Sequence, residues 1–151
     1  MYLNVRGVNS KAKQELLNKF VQSHKPDILA LSETKLTRYL QIEGYHHMQT
    51  RKVRSGGCWA GSKFDRVKKI KALGSSICWI SPAYQFVPLH IFCCYLQPNN
   101  KPSTDQTFAR LKHAVQGVLS RIPSSRIVIV GDFNERIQEI SDWAMKVGLT
   151  P

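Results

Sequence analysis

Short apolar runs separated by turn residues are the first pattern along the chain. Residues 2–5, 28–31 and 126–130 form such runs, and their length and aliphatic content predict buried strands. Between residues 44 and 96 the pattern becomes one strand after another, separated by Gly-rich turns. We place these successive strands at about 45–53, 57–62, 67–72, 76–80 and 86–96.

Three other stretches repeat apolar residues every three or four positions, which is the spacing of one helix face. The first follows Ser10, a residue that can cap a helix, and it ends before Pro26. The second is long and begins at Ser103 or Thr104, either of which can cap it. The third runs from about residue 137 to residue 147.

The order of these elements predicts a single α/β domain over residues 1–151. The strand, helix and strand at the start predict a right-handed crossover between parallel strands. Helices near both ends of the order, with successive strands between them, predict two sheets packed face to face with the helices outside. The length of 151 residues suits one domain rather than two.

The chain is strongly basic, with 22 Lys and Arg against 10 Asp and Glu and a net charge of +12. This excess indicates a polyanionic partner such as nucleic acid; a generally basic, solvated surface is the alternative. Eight Lys and Arg residues fall between residues 51 and 71, near Trp59 and Phe64, a mixture that suits a phosphate backbone with exposed bases. In this stretch we predict Arg51, Arg54 and Lys63 to bind substrate.

The four cysteines lack the paired spacing of a metal site or a disulfide framework. They predict buried free thiols in a reducing compartment, with Cys93 and Cys94 on opposite faces of one strand. No charged-then-apolar leader opens the chain, and prolines interrupt its most apolar stretch, residues 76–96. We therefore expect an intracellular protein with no membrane partner, and no protein partner is indicated.

The tetrapeptide from Gly131 to Asn134, with the sequence Gly-Asp-Phe-Asn, follows the strand predicted at 126–130. Gly131 can adopt backbone angles closed to other residues, which predicts a sharp turn at the strand's exit. Asp132 can accept a proton from water, and Asn134 can donate hydrogen bonds to an anion. The pair supplies what phosphoester cleavage needs, although ordinary turn chemistry is the alternative explanation.

Polar side chains also lie at the exits of three other predicted strands, namely Asn4, Glu33 and Tyr95. Ligands collect where strand ends converge, so the four exits could share one cleft. Each residue alone has a simpler interpretation: Asn4 as a turn former, Glu33 as a solvated strand end, and Tyr95 as a core ring with a surface hydroxyl. Their joint occurrence favours a shared site.

Five segments in this order resemble the motifs of the endonuclease/exonuclease/phosphatase superfamily: residues 4–7, 27–35, 55–57, 95–99 and 131–135. More narrowly, they resemble the apurinic-type endonuclease domain at the front of non-LTR (LINE-like) retrotransposon polyproteins. The resemblance implies a four-layer α/β/β/α sandwich of two packed mixed sheets that hydrolyses phosphodiesters in nucleic acid, above all DNA. It implies Mg²⁺ as the cofactor, with Mn²⁺ as an alternative, and a nuclear location for a retroelement product.

The resemblance also implies a role for each residue. Glu33 matches the metal-binding glutamate, and Asn4 matches the asparagine beside the metal and the phosphate. Tyr95 matches the tyrosine that contacts the phosphate. Asp132 matches the aspartate that aligns or deprotonates the attacking water, and Asn134 matches the asparagine that steadies the transition state.

One motif of the superfamily is absent, the Ser-Asp-His type motif near its C-terminus. None of the histidines follows an aspartate; they are His24, His46, His47, His90 and His113. We therefore expect a C-terminally truncated domain that lacks late strands of one sheet. Three hypotheses remain: a metal-dependent endonuclease that nicks DNA, a catalytically dead remnant that binds nucleic acid through its basic surface, and a hydrolase of a small phosphate ester.

Overall fold

The computed structural model describes residues 1–50, 56–64, 66–83, 88–123 and 126–150. Strands and helices alternate at both ends of this part of the chain, and strands follow one another in its middle. The elements are β1 (Tyr2–Asn4), α1 (Lys11–His24), β2 (Ile28–Ser32), β3 (His46–Gln49), β4 (Cys58–Ser62), β5 (Val67–Ala72), β6 (Ile77–Pro82), β7 (Leu89–Tyr95), α2 (Lys101–Arg121), β8 (Arg126–Asp132) and α3 (Ile137–Lys146), with a 3₁₀ turn at Asn134–Arg136 before α3.

The strands form two four-stranded mixed sheets, with the orders β1-β2-β4-β3 and β5-β6-β7-β8. Each sheet contains one parallel pair, β1 with β2 and β7 with β8, and its other pairs are antiparallel. In both parallel pairs a helix connects the two strands, α1 in the first sheet and α2 in the second. The prediction of an α/β fold with two mixed sheets and helices is confirmed.

Alternation of side chains along the strands creates three separate cores. Leu29 and Leu31 of β2 face α1, whereas Ala30 between them faces the second sheet. Phe92 and Cys94 of β7 face α2 and α3. The layer between the sheets contains several small buried residues, Ala30, Cys58, Ala60, Cys78 and Cys93. The layers are therefore α1, first sheet, second sheet, and α2 with α3.

Several local predictions agree with this structure. Ser10 caps α1 through its side chain, which accepts a hydrogen bond from the Lys13 N–H, and the helix ends at His24, before Pro26. The third helix spans Ile137–Lys146. All four cysteines are buried and free, and Cys93 and Cys94 belong to different cores. The strands predicted at 45–53 and 86–96 are shorter, and residues 51–53, 86 and 87 lie outside the described part.

Helix α2 begins earlier than predicted, and neither Ser103 nor Thr104 is its cap. The cap is Asn100, whose side chain accepts a hydrogen bond from the Ser103 N–H at 3.3 Å. Pro102 fits the first turn of the helix because its missing N–H has no partner to lose there. The Thr104 hydroxyl instead donates to the Gln97 carbonyl at 2.7 Å and ties the helix to the preceding loop.

The predicted sharp turn at Gly131 is wrong. Gly131 lies inside β8, opposite Cys94 of β7, and it is not among the residues with positive φ. A Cβ at this position would overlap the backbone carbonyl oxygen of Cys94. Glycine is required because the two parallel strands approach closely, not because the chain turns.

No helix in the described ranges is both long enough and apolar enough to cross a membrane.

The close approach of β7 and β8 makes Gly131→Ala a test of the fold. We expect this substitution to lower the free energy of unfolding by roughly 1–3 kcal/mol or more, the usual cost of overpacking a well-packed region. Chemical denaturation followed by circular dichroism measures the change. Gly117→Ala in α2 is the matched control, because a Cβ there meets no atom within 4 Å. It should raise the unfolding free energy by about 0.5–1 kcal/mol; equal effects of the two changes would contradict the account.

Candidate active site

The carboxyl ends of the two parallel strand pairs meet at one edge of the sandwich. In the first sheet Asn4 pairs with Ser32, so Glu33 follows directly at the same edge. In the second sheet Tyr95 pairs with Asp132. Strand β8 lies against both β1 and β2. The structure therefore brings Asn4, Glu33, Tyr95 and Asp132 together from four strands.

Asn4 joins the two sheets at this edge. Its Nδ2 donates a hydrogen bond to Asp132 Oδ2 at 2.7 Å, and its Oδ1 accepts one from the Arg6 N–H at 3.1 Å. The second bond fixes the side-chain amide, so the N–H group must point across to the aspartate. Asn4 also lowers the pKa of Glu33 through a side-chain hydrogen bond. The Asn4 carboxamide thus binds Asp132 directly and helps to keep Glu33 ionised.

Glu33 is held in its ionised form. The Lys35 ammonium lies 2.8 Å from Glu33 Oε1, and its hydrogen bond is the main reason that the pKa of Glu33 falls below its usual 4.5. Burial acts in the opposite direction, while the charge of Arg6 helps to lower the pKa. Glu33 is therefore a carboxylate at neutral pH, with an anionic oxygen available to a cation.

Tyr95 is protonated at neutral pH. Burial raises its pKa, and the negative charges of Glu33 and Asp132 raise it further. The ring packs against the backbone of Gly56, where a Cβ would lie 2.6 Å from Tyr95 Cδ1. Gly56 also has a φ of +75°, so two constraints favour glycine there. The phenol is therefore a hydrogen-bond donor in the field of two carboxylates.

Asn134 stands beside Asp132 but is partly engaged elsewhere. Its backbone N–H donates to Asp132 Oδ1 at 3.4 Å, and its Nδ2 donates to the Leu96 carbonyl at 2.6 Å. An amide nitrogen carries two hydrogens, so one donor remains for a ligand. The contact with Leu96 fixes the orientation of that donor.

Left-handed backbone conformations concentrate just beyond these strand ends. Non-glycine residues rarely have positive φ, and such strain clusters at functional sites. The residues concerned are Arg6 (44°), Glu33 (53°), Lys35 (51°), Asn99 (57°) and Asn134 (47°). The chain thus adopts costly conformations where the polar side chains converge.

Lys63, one of the three predicted substrate-binding residues, does not join this group. Lys63 follows β4 at the other end of the first sheet, since Ser62 pairs with Ile28 and Cys58 pairs with Ser32. Its backbone N–H donates to the Asp27 carbonyl, and its ammonium lies 5.3 Å from the centre of the Tyr45 ring. Arg51 and Arg54 lie outside the described residues.

Two neighbours of the site were not predicted from the sequence. The Tyr2 hydroxyl forms a 2.6 Å hydrogen bond with Ser32 Oγ, and burial raises its pKa to about 12. Strand periodicity could have found it, because residues 2 and 4 share a face of β1. Lys35 belongs to the segment 27–35 that carries the family resemblance, but its ion pair with Glu33 was not predicted. The pair forms because left-handed backbone at both residues turns the Lys35 side chain towards Glu33.

The donor chemistry of the site suits a hard divalent cation. Over the described ranges, no group of three or more His, Cys, Asp and Glu side chains could hold a metal ion. Mg²⁺ does not need such a group, because it keeps several waters and uses one or two carboxylates together with substrate phosphate. Glu33 and Asp132, at neighbouring strand ends of the two sheets, fit that requirement.

Comparison with known proteins supports the family resemblance. The model of the endonuclease/exonuclease/phosphatase family matches residues 1–145. A search of curated proteins finds no match.

Solved structures with a similar fold include TDP2 from Caenorhabditis elegans, with a TM-score of 0.69 and 17% identity over 91% of this chain and 47% of that one. A 3′ phosphatase from Neisseria, bound to a product DNA hairpin, has a TM-score of 0.65 and 20% identity, over 88% of this chain and 56% of that one. An AP endonuclease from Archaeoglobus fulgidus has a TM-score of 0.64 and 21% identity, over 87% of this chain and 55% of that one. The chain spans about half the length of these proteins.

The pairing of Lys35 with Glu33 generates a pH prediction. Because the folded-state pKa of Glu33 lies below 4.5, its charge stabilises the fold above that pH, and this contribution is lost as the pH falls through the folded-state pKa. In Lys35→Met the Glu33 pKa should rise towards its ordinary value. Carboxyl-carbon NMR titration in chelator-treated buffer measures the change. Lys11→Met, which removes a lysine of a distant exposed pair, should leave the Glu33 titration unchanged; an unshifted Glu33 in Lys35→Met would refute the assignment.

Proposed function

The chain belongs to the endonuclease/exonuclease/phosphatase family, and we propose that it is a divalent-metal-dependent phosphodiesterase that nicks DNA. The observation that carries the proposal is the hydrogen bond from Asn4 to Asp132, which joins the strand ends of the two sheets where Glu33 and Tyr95 also lie. The family as a whole hydrolyses phosphoester bonds with divalent metals. The choice of DNA, of Mg²⁺ or alternatively Mn²⁺, and of a retroelement as the source of the chain belongs to this proposal.

Each side chain has a role that follows from its protonation state and contacts. Glu33 would hold the metal ion, which when bound polarises a phosphoryl oxygen. Asp132, oriented by the Asn4 N–H, accepts a proton from the attacking water. Tyr95 and the remaining N–H of Asn134 donate hydrogen bonds to the phosphate, where they are worth most as negative charge grows in the transition state.

Charge and structural relatives favour DNA as the substrate. The net charge of +12 favours a polyanion. Among the similar structures, one is bound to a product DNA hairpin and another is an AP endonuclease. A small phosphate ester would not require so large an excess of cations.

A second candidate function is nucleic-acid binding without cleavage. The observation that favours it is the net charge of +12, which attracts a polyanion whether or not a phosphodiester bond is cut. Binding that weakens steeply with salt, without any cleaved product, would favour this function.

Nicking of supercoiled plasmid in the presence of Mg²⁺ tests the proposal. We expect relaxation of the plasmid by the wild-type chain, abolished by chelation. Glu33→Gln and Asp132→Asn should each reduce the rate by about 10²-fold or more, because each removes a group that acts in the transition state. Glu15→Gln on exposed α1 removes the same charge and should cut normally.

Two outcomes would contradict the proposal. Equal nicking by the wild type, Glu33→Gln and Asp132→Asn would mean that the activity belongs to a contaminant or to another site. No metal-dependent product from any variant, with salt-sensitive DNA binding retained, would replace the proposal by the binding function.

A further inference from the structure

A basic groove lies on the outer face of the second sheet, away from the strand ends that form the candidate active site. Helix α2 forms one wall, and β5 with its following turn forms the other; the groove encloses about 560 Å³. It is lined by Lys71, Trp79, Arg110, His113, Gly117 and Arg121, among others. A volume of this size is in the range of small-ligand sites, which run from roughly 300 to 1,000 Å³.

The groove concentrates positive charge that has no ionic partner among the residues that the structure describes. Arg110, His113 and Arg121 are spaced along one face of α2, and Lys71 faces them from β5. No described Asp or Glu lines the groove. In the part of the chain that is described, the ion pairs involve Lys11, Lys35 and Arg136, and none involves Lys71, Arg110 or Arg121. The groove therefore favours an anion.

The floor of the groove is apolar and rigid. Trp79 is only 7% exposed, and its ring stacks on Phe92 with centroids 5.0 Å apart. Its indole N–H donates to His90 Nδ1 at 3.2 Å, which fixes the ring from a second side. Ala114 and Val118 extend the apolar surface along α2. A purely ionic ligand would leave this surface unused.

Gly117 faces open space in the groove. It lies inside α2, where glycine costs roughly 0.5–1 kcal/mol relative to alanine. No atom lies within 4 Å of the position of a Cβ, so packing does not require glycine there. At the other end of the groove, the Arg110 guanidinium occupies the space that a side chain of Gly74 would fill. A long side chain at position 117 would therefore project into the groove, whereas alanine would leave it open.

We propose that the basic groove is a nucleotide-binding site, in which Arg110, Arg121 and Lys71 bind the phosphate while the planar base packs against the apolar lining of the groove, formed by Leu73, Ala114 and Ile122 above the buried Trp79. A nucleotide combines the two features that the groove offers, an anionic group and a flat apolar body. An acidic peptide would satisfy the charges but not the apolar floor. The nucleotide is either free or one unit of a nucleic-acid strand; both present the same chemistry. Binding in the groove is independent of the proposed hydrolysis, because over the described ranges none of the residues that line the groove belongs to the candidate active site.

Isothermal titration calorimetry with 5′-AMP, adenosine and a ten-residue oligothymidylate tests this site. In Arg110→Gln/Arg121→Gln the affinity for nucleotide should fall about tenfold or more, because charge-assisted hydrogen bonds to the phosphate are lost. Gly117→Leu keeps every charge but fills the groove and should have a similar effect. Lys19→Gln/Lys146→Gln, which removes two exposed cations elsewhere, and Gly117→Ala should stay within about twofold of the wild type.

The two sources of the nucleotide are distinguishable. Groove-dependent binding of 5′-AMP indicates a free nucleotide, whereas groove-dependent binding of oligothymidylate alone indicates a strand. Asp132→Asn should leave groove binding unchanged, and Gly117→Leu should leave plasmid nicking unchanged, so failure of one proposal does not imply failure of the other.

Three results would overturn the site. The first is equal affinity for adenosine and 5′-AMP, which would mean that the phosphate is not bound. The second is nucleotide binding that is as strong in both groove variants as in the lysine control. The third is groove-dependent binding of polyglutamate without groove-dependent binding of either nucleotide probe, which would assign the groove to an acidic peptide.

Discussion

The 2.7 Å hydrogen bond between Asn4 and Asp132 is the contact on which the candidate active site depends. It joins the first strand of one sheet to the last strand of the other, 128 residues away in sequence. Each partner lies at the carboxyl end of a strand in a parallel pair, so both parallel pairs must end at the same edge of the sandwich. If either pair shifted by one residue, its side chains would move to the opposite face and the contact would be lost.

Small residues between the sheets make this arrangement compatible with close packing. Ala30, Ala60 and three cysteines contribute to the interior layer, and Gly131 lets β7 and β8 approach without a clash. Larger side chains face α1 on one side and α2 with α3 on the other. The two outer cores hold the sheets in place, while the inner layer sets the distance at which residues of β1 and β8 can meet.

Much of the fold could be predicted from the sequence because its signals are local. Helical spacing and short apolar runs predicted the strand–helix–strand units, and the Ser10 cap followed from residue type alone. The cap of α2 was missed because Ser103 and Thr104 are also good caps, and only the tertiary contact of Thr104 with Gln97 removes it from that role. Gly131 was misinterpreted because a contact with Cys94, far away in sequence, leaves no local signal.

In the candidate site, too, local signals could be predicted and contacts between distant residues could not. The residues at strand exits could be proposed from their order, since parallel strands bring their ends together. Lys63 is close in sequence to other cations, but β4 carries it to the opposite end of the sheet. The Lys35–Glu33 pair depends on left-handed backbone at both residues. The basic groove has residues from β5 and α2, which are separated by two strands in sequence, and no local pattern connects them.

Line broadening by Mn²⁺, a paramagnetic divalent ion, tests the central claim most directly. Substoichiometric Mn²⁺ should broaden the NMR signals of Asn4, Tyr95 and Asn134 before all others, because these side chains surround the two carboxylates, and the effect should disappear in Glu33→Gln. Broadening centred elsewhere in the molecule, or broadening of these signals that persists in Glu33→Gln, would contradict the account.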